Sequence, residues 1–168
     1  DWNRAIKHTP NDPWLYFQRS QIFADLEAWP QVMSDLDTAC DLAPIETVFM
    51  TARAGVQQGQ GDIDGAIADL LRVIDLDPNH GRAHGQLGWI LHQREHGARM
   101  LAVDHLNKAI ELDPDEVEPR MHRSLAYASQ NKFELAMEDC DTVIAMQPAN
   151  PPERSMAMTT IFTGGMPA

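Results

Sequence analysis

Cysteine is almost missing from this chain. Cys40 and Cys140 are the only two in 168 residues, so no disulfide framework is available and the redox compartment stays open. Long apolar runs are missing too: none approaches the ~20 residues that a bilayer-spanning helix needs. Positive charge is scarce. Lys and Arg number 13 against 25 Asp and Glu, giving a formal net charge of -12 and a pI near 4.8. Such a chain repels phosphate backbones and anionic lipid surfaces, so neither nucleic acid nor a membrane is expected as a partner. No phosphate-cradling loop is present either. The stretch GQGDIDG from Gly59 contains no lysine, and no strand precedes it. What remains is ordinary for a globular protein: 43% hydrophobic and 23% charged residues, which argues against wholesale disorder.

The dominant positive feature is repetition. The phrases RAIKHTP, TACDLAP, RVIDLDP, KAIELDP and TVIAMQP close on Pro10, Pro44, Pro78, Pro114 and Pro148, at spacings of 34, 34, 36 and 34 residues. Within each period lie two amphipathic stretches. In the second unit a helix is expected over about Val48–Gln58, then a Gly-Gln-Gly-Asp turn, then a second helix to about Leu76, where Pro78 stops it. Apolar residues recur at helical spacing in the second helices, as Ala66, Leu70, Val73 and Ile74, and again as Ala102, Leu106, Ala109 and Ile110. Ser20, Ala54, Gly88 and Ser124 share one place in the first helices. A small side chain there allows two helices to approach closely.

This pattern resembles the tetratricopeptide repeat family over about residues 11 to 148. Ser20 with Phe23 and Ser124 with Tyr127 match the family's small-then-large signature, whereas Gln57 replaces the large residue and Val32 the early alanine. The resemblance implies an all-α fold, a right-handed superhelical solenoid of antiparallel helix pairs. The expected organisation is a truncated half-repeat over 1–10, repeats over 11–44, 45–78, 79–114 and 115–148, and a capping helix with a tail over 149–168. The third repeat carries two extra residues, expected near the REHGARM stretch of 94–100. The half-repeat makes the chain read as part of a longer solenoid.

One charge pattern exceeds the generic motif. Arg19, Arg53 and Arg123 share a place just before the small residue, and Asp35, Asp69 and Asp139 share a place in the second helices, with Asp1 at that place in the half-repeat. In the third repeat both change together, to Leu87 and His105. Charges that appear and vanish as a set imply an Arg–Asp pair within each of the other repeats, holding its two helices together.

In this family the first helices line the concave face, so the resemblance places binding there. Helical spacing around the small position selects Trp14, Phe17, Gln18 and Gln21 in the first repeat, Arg82, Gln86 and Trp89 in the third, and Met121, His122 and Leu125 in the fourth. Thr51, Ala52, Gly55, Gln58 and His92 occupy related places. Large apolar groups beside amides and imidazoles suit a protein or peptide segment with hydrophobic anchors. Some relatives grip a terminal carboxylate with a clamp of Lys, Asn and Arg. These positions hold neither lysine nor asparagine, and Arg82 is their one charge, which argues against that mode.

Other constellations read as structure. His92 to His96 spells HQREH, matching a zinc-protease order, but it sits at a helix end inside a repeat, and zinc chemistry would also need a third protein ligand and a pocket. Cys40 and Cys140 fall on packing stripes and read as small hydrophobes. No catalytic residue, metal or cofactor is assigned. The reading is a scaffold or adaptor that binds a partner in its groove. Its alternatives are self-association through end-to-end stacking of the repeats and the regulatory arm of an enzyme whose catalytic domain lies outside this fragment. Neither partner identity nor compartment is specified by the sequence.

Overall fold

The computed structural model describes residues 2–94 and 99–146. Among them are nine α-helices and no strand: α1 (Trp2–His8), α2 (Pro13–Asp25), α3 (Trp29–Leu42), α4 (Thr47–Gln60), α5 (Ile63–Leu76), α6 (Gly81–Gln93), α7 (Arg99–Leu112), α8 (Glu118–Ser129) and α9 (Phe133–Met146). The second helix of each repeat packs on its own first helix and on the first helix of the next, so α3 touches α2 and α4, and α7 touches α6 and α8. First helices also meet each other directly, α4 with α6 and α6 with α8. This is an all-α solenoid of helix pairs, as the period required. The expected capping helix and tail of 149–168, the closing Pro148, Asp1 and His96 lie outside the described residues.

Each element follows from its sequence. Asp12 caps α2, its carboxylate accepting from Trp14 N at 3.0 Å, with Pro13 at the first helical position. Asp62 does the same for α5 by accepting from Gly65 N. Pro10, Pro44, Pro78 and Pro114 each sit in a two-residue turn after a second helix. Side chains tie down two of those turns. Tyr16 Oη donates to the Pro10 carbonyl at 3.0 Å, and Arg120 Nη1 donates to that of Pro114 at 2.5 Å.

The α4–α5 link is shorter than the glycines suggested. Gly59 and Gln60 remain helical, and the reversal is made at Gly61, which takes φ 85° and ends the helix. The same left-handed place holds Glu27 (φ 55°) in the first repeat and Asn131 (φ 59°) in the fourth. A glutamate there carries a steric cost of about 1 kcal/mol that glycine escapes. Glu27→Gly is therefore expected to raise stability by roughly that amount, read as a higher thermal midpoint. Asn131→Gly should do less, since asparagine tolerates this conformation better.

The core runs continuously through the stack. Leu36, Phe49, Leu70, Leu87, Ile90 and Leu106 are fully buried, as are the small residues Ala54, Ala66 and Ala102. Ser20 and Ser124 satisfy their buried hydroxyls by donating to Phe17 O and Met121 O in the preceding turn. At Gly88 the two helices of the third repeat approach closely: an added Cβ would stand 2.6 Å from Leu106 Cγ and 3.0 Å from Ala102 O.

Candidate functional site

The paired charges of the repeats are consumed by the scaffold. Arg53 Nε and Nη2 donate to Asp69 Oδ2 and Oδ1 at 2.7 and 2.8 Å, a bidentate fork between α4 and α5. Arg19 with Asp35 (2.8 and 2.6 Å) and Arg123 with Asp139 (2.8 and 2.5 Å) repeat it. All three aspartates are buried. Each arginine also uses its remaining Nη1 to reach back to the preceding repeat, to Asn3 Oδ1 (2.6 Å), Asp37 Oδ1 (2.9 Å) and Asn107 Oδ1 (2.7 Å). The sequence pattern did not reveal this third bond. The hydrogen bonds it donates to Asp69, opposed by burial, push the Arg53 guanidinium further into its charged form.

The third repeat substitutes a pair of imidazoles. His84 and His105 approach Nδ1 to Nδ1 at 2.9 Å, and His84 Nε2 meets the Pro78 carbonyl at 3.2 Å. Donation from His84 Nε2 to that carbonyl leaves its Nδ1 to accept from His105 Nδ1–H. Cys40 is buried and its thiol is pushed up to about 11 by that burial, which leaves it a poor nucleophile.

With these residues accounted for, two depressions remain along the first helices. The larger, about 660 Å³, runs between α4, α6 and α8, with Gln58, Gly85, Gln86, Trp89, Pro119 and His122 on its walls. The smaller, about 390 Å³, lies between α2 and α4, with Phe17, Gln21, Ala52 and Val56 among its lining residues. Arg82 borders both. Trp89 stacks face to face on His122 with ring centres 4.2 Å apart, and His92 tilts against the same indole at 5.6 Å. Burial lowers the His122 pKa, opposed in part by Glu118, so the stacked imidazole is neutral at neutral pH.

Six of the ten positions selected from sequence thus line the depressions: Phe17, Gln21, Arg82, Gln86, Trp89 and His122. Trp14 packs edge-on against Phe17 (5.7 Å) and Phe49 (4.8 Å), cementing α2 to α4 while staying 43% exposed. Gln18, Met121 and Leu125 border neither depression; the first two are exposed and the third is half-buried. Thr51 is buried and its hydroxyl donates to Thr47 O. The charge of the groove also differs from the sequence reading. Asp113, Glu116 and Glu118 join Arg82 on the larger depression. Asp113 and Glu116 belong to the turn that brings α7 into α8 and Glu118 is the first residue of α8, all outside the positions that guided the selection.

A family model described as the tetratricopeptide repeat matches residues 51–98 and 94–151, more than half of the chain. The chain belongs to the tetratricopeptide repeat family. Solved structures agree on the fold. MamA 41-end from Desulfovibrio magneticus RS-1 superposes with a TM-score of 0.77 at 20% identity, over 89% of this chain and 84% of that one. A thermophilic tetratricopeptide repeat protein of Thermus thermophilus gives 0.75 at 18% identity, over 95% and 86%. Among curated proteins, bacteriophage adsorption protein A of Escherichia coli (strain K12) is 26% identical over 148 residues. That match takes in 82% of this chain but only 14% of the relative, so the chain spans about one seventh of its length.

Within these tetratricopeptide repeats the histidines set a pH response. Burial, then the neighbouring His84, lowers the His105 pKa, and burial lowers that of His122. The unfolded chain therefore takes up these protons first as pH falls through about 6.5. Stability is complete above that pH and drops as pH descends toward the lower folded values. The thermal midpoint of the wild type should fall between about pH 7 and 5.5, before most carboxylates titrate. His105→Asn should flatten that slope. A flat wild-type profile over this window would contradict the arrangement. Among the described residues no helix is long and apolar enough to cross a membrane.

Proposed function

We propose that this chain is a protein-interaction scaffold that holds an extended or helical segment of a partner in the groove along α2, α4, α6 and α8. The observation that carries the reading is the larger depression, where three consecutive first helices converge on the Trp89–His122 stack. Arginine–aspartate forks fasten three of the helix pairs away from this surface, which leaves its aromatic and amide groups for a ligand. An indole backed by an imidazole is a rigid apolar wall, while Gln21, Gln58 and Gln86 offer amides to a peptide backbone. Membership of the family supports partner binding in general, and the groove supports its location. Catalysis has no part in this reading.

The test is affinity capture with the wild type, with Trp89→Ala/Phe17→Ala, and with Arg82→Glu, all verified as folded by circular dichroism. Arg82 is exposed, so its variant alters the groove without touching the core. A partner held by the wild type, lost by Trp89→Ala/Phe17→Ala and bound with changed affinity by Arg82→Glu supports the groove. Retention of every partner by both variants shows that binding occurs elsewhere.

A further inference from the structure

We infer that the α6–α8 part of the groove selects a basic partner segment, one that offers a lysine or arginine beside an apolar anchor. This deepens the scaffold reading and rests on it.

The argument is electrostatic complementarity at a built depression. Along one wall, Asp113, Glu116 and Glu118 are all exposed, and they share the cavity with Trp89 and Pro119. No ion pair engages these three carboxylates among the described residues. The contrast with the rest of the molecule is informative. Where an aspartate serves the scaffold, as Asp35, Asp69 and Asp139 do, an arginine occupies both of its oxygens. The groove carboxylates keep theirs largely unused; the one hydrogen bond to them is from Asp115 N to Asp113 Oδ1 at 3.3 Å. Against three negative charges stands Arg82 alone, since the His122 imidazole is neutral. On the same walls, Gln86 Oε1 is buried with no hydrogen-bond donor facing it.

The chain's overall charge of -12 works in the same direction. It draws a cationic segment in and turns acidic ones away. A second copy of this chain is equally acidic, so it is disfavoured as the occupant. The apolar floor of Ala109, Gly85 and Pro119 provides for the anchor, and the carboxylates set the sign of its neighbour.

A library of random dodecamer peptides, acetylated and amidated at their ends, tests this on the whole chain. Peptides selected by the wild type should be enriched in lysine and arginine. Their affinity should fall about tenfold or more in Asp113→Asn/Glu116→Gln/Glu118→Gln at low salt, with a smaller loss at high salt. The reversal variant Glu116→Lys/Glu118→Lys guards against misfolding, because it should gain a preference for acidic peptides. Selection of peptides without basic enrichment, with binding still abolished by Trp89→Ala, overturns the charge inference and leaves the groove intact. Peptides indifferent to Trp89→Ala, or no selected peptides at all, overturn both.

Discussion

Asp69→Ala should cost about 3 kcal/mol, the lower end of the range for breaking a buried pair. The lower end applies because the Arg53 side chain keeps 21% exposure and retains its second bond to Asp37. Two effects add. The bidentate bonds joining α4 to α5 disappear, and the guanidinium loses the carboxylate that offsets its removal from water. For a chain of this size the thermal midpoint should drop by roughly 10 °C. The control is Asp64→Ala, which removes an equally short pair with Arg94 at 2.6 Å, but at a site where the aspartate side chain is 84% exposed. That substitution should cost no more than about 0.5 kcal/mol. Equal losses in the two variants would show that the fork does not hold the repeat. Arg53→Met/Asp69→Leu should recover most of the loss, since an apolar pair needs no compensation for burial.

Gly88→Val should be comparably severe, at about 3 kcal/mol. Leu106 is completely buried and cannot swing aside, and the Ala102 carbonyl belongs to the α7 backbone. The new atoms can be housed only by moving α6 and α7 apart, and α6 is shared with α4 and α8. Gly88→Ala should cost much less. Its single methyl meets the same atoms, but alanine regains about 1 kcal/mol of helix propensity. Ala54, at the same place in the second repeat, shows that the spacing of a helix pair can accommodate one methyl. Urea denaturation of the three proteins gives the comparison. If Gly88→Val is as stable as the wild type, the contact is looser than these distances imply.

How much was legible beforehand depended on the range of each interaction. The helix pairs followed from the closing prolines and the small positions, because both act within a few residues. The Arg–Asp forks could be read although they join different helices, because loss of both members in one repeat, as Leu87 and His105, betrayed the coupling. The third arginine bond was missed because its acceptor lies in the preceding repeat. Its trace is there: Asn3, Asp37 and Asn107 share one place, and at that place the second repeat carries Leu71, just ahead of the repeat that lacks the arginine. The acids of the groove were missed for another reason. Helical spacing tells which side of α6 or α8 a residue occupies, but it does not say where a turn will project Asp113 and Glu116. Trp14 shows the converse: a residue on the selected side was captured by Phe49 of the neighbouring repeat.

Those back-reaching arginine bonds have a mechanical meaning. Arg19, Arg53 and Arg123 each stitch a repeat to the one before it, whereas between the second and third repeats Leu87 and Leu71 leave no such bond and the exposed Asp64–Arg94 pair spans the boundary instead. In a solenoid whose units contact only their neighbours, each boundary is held by its own contacts, and one boundary differs from the rest. Here that boundary is the junction of α5 with α6, and Arg82, one residue into α6, stands between the two depressions. At this one junction buried apolar contact and a surface ion pair stand where the other boundaries have a back-reaching arginine, so the two depressions meet where the repeats are joined in a different way.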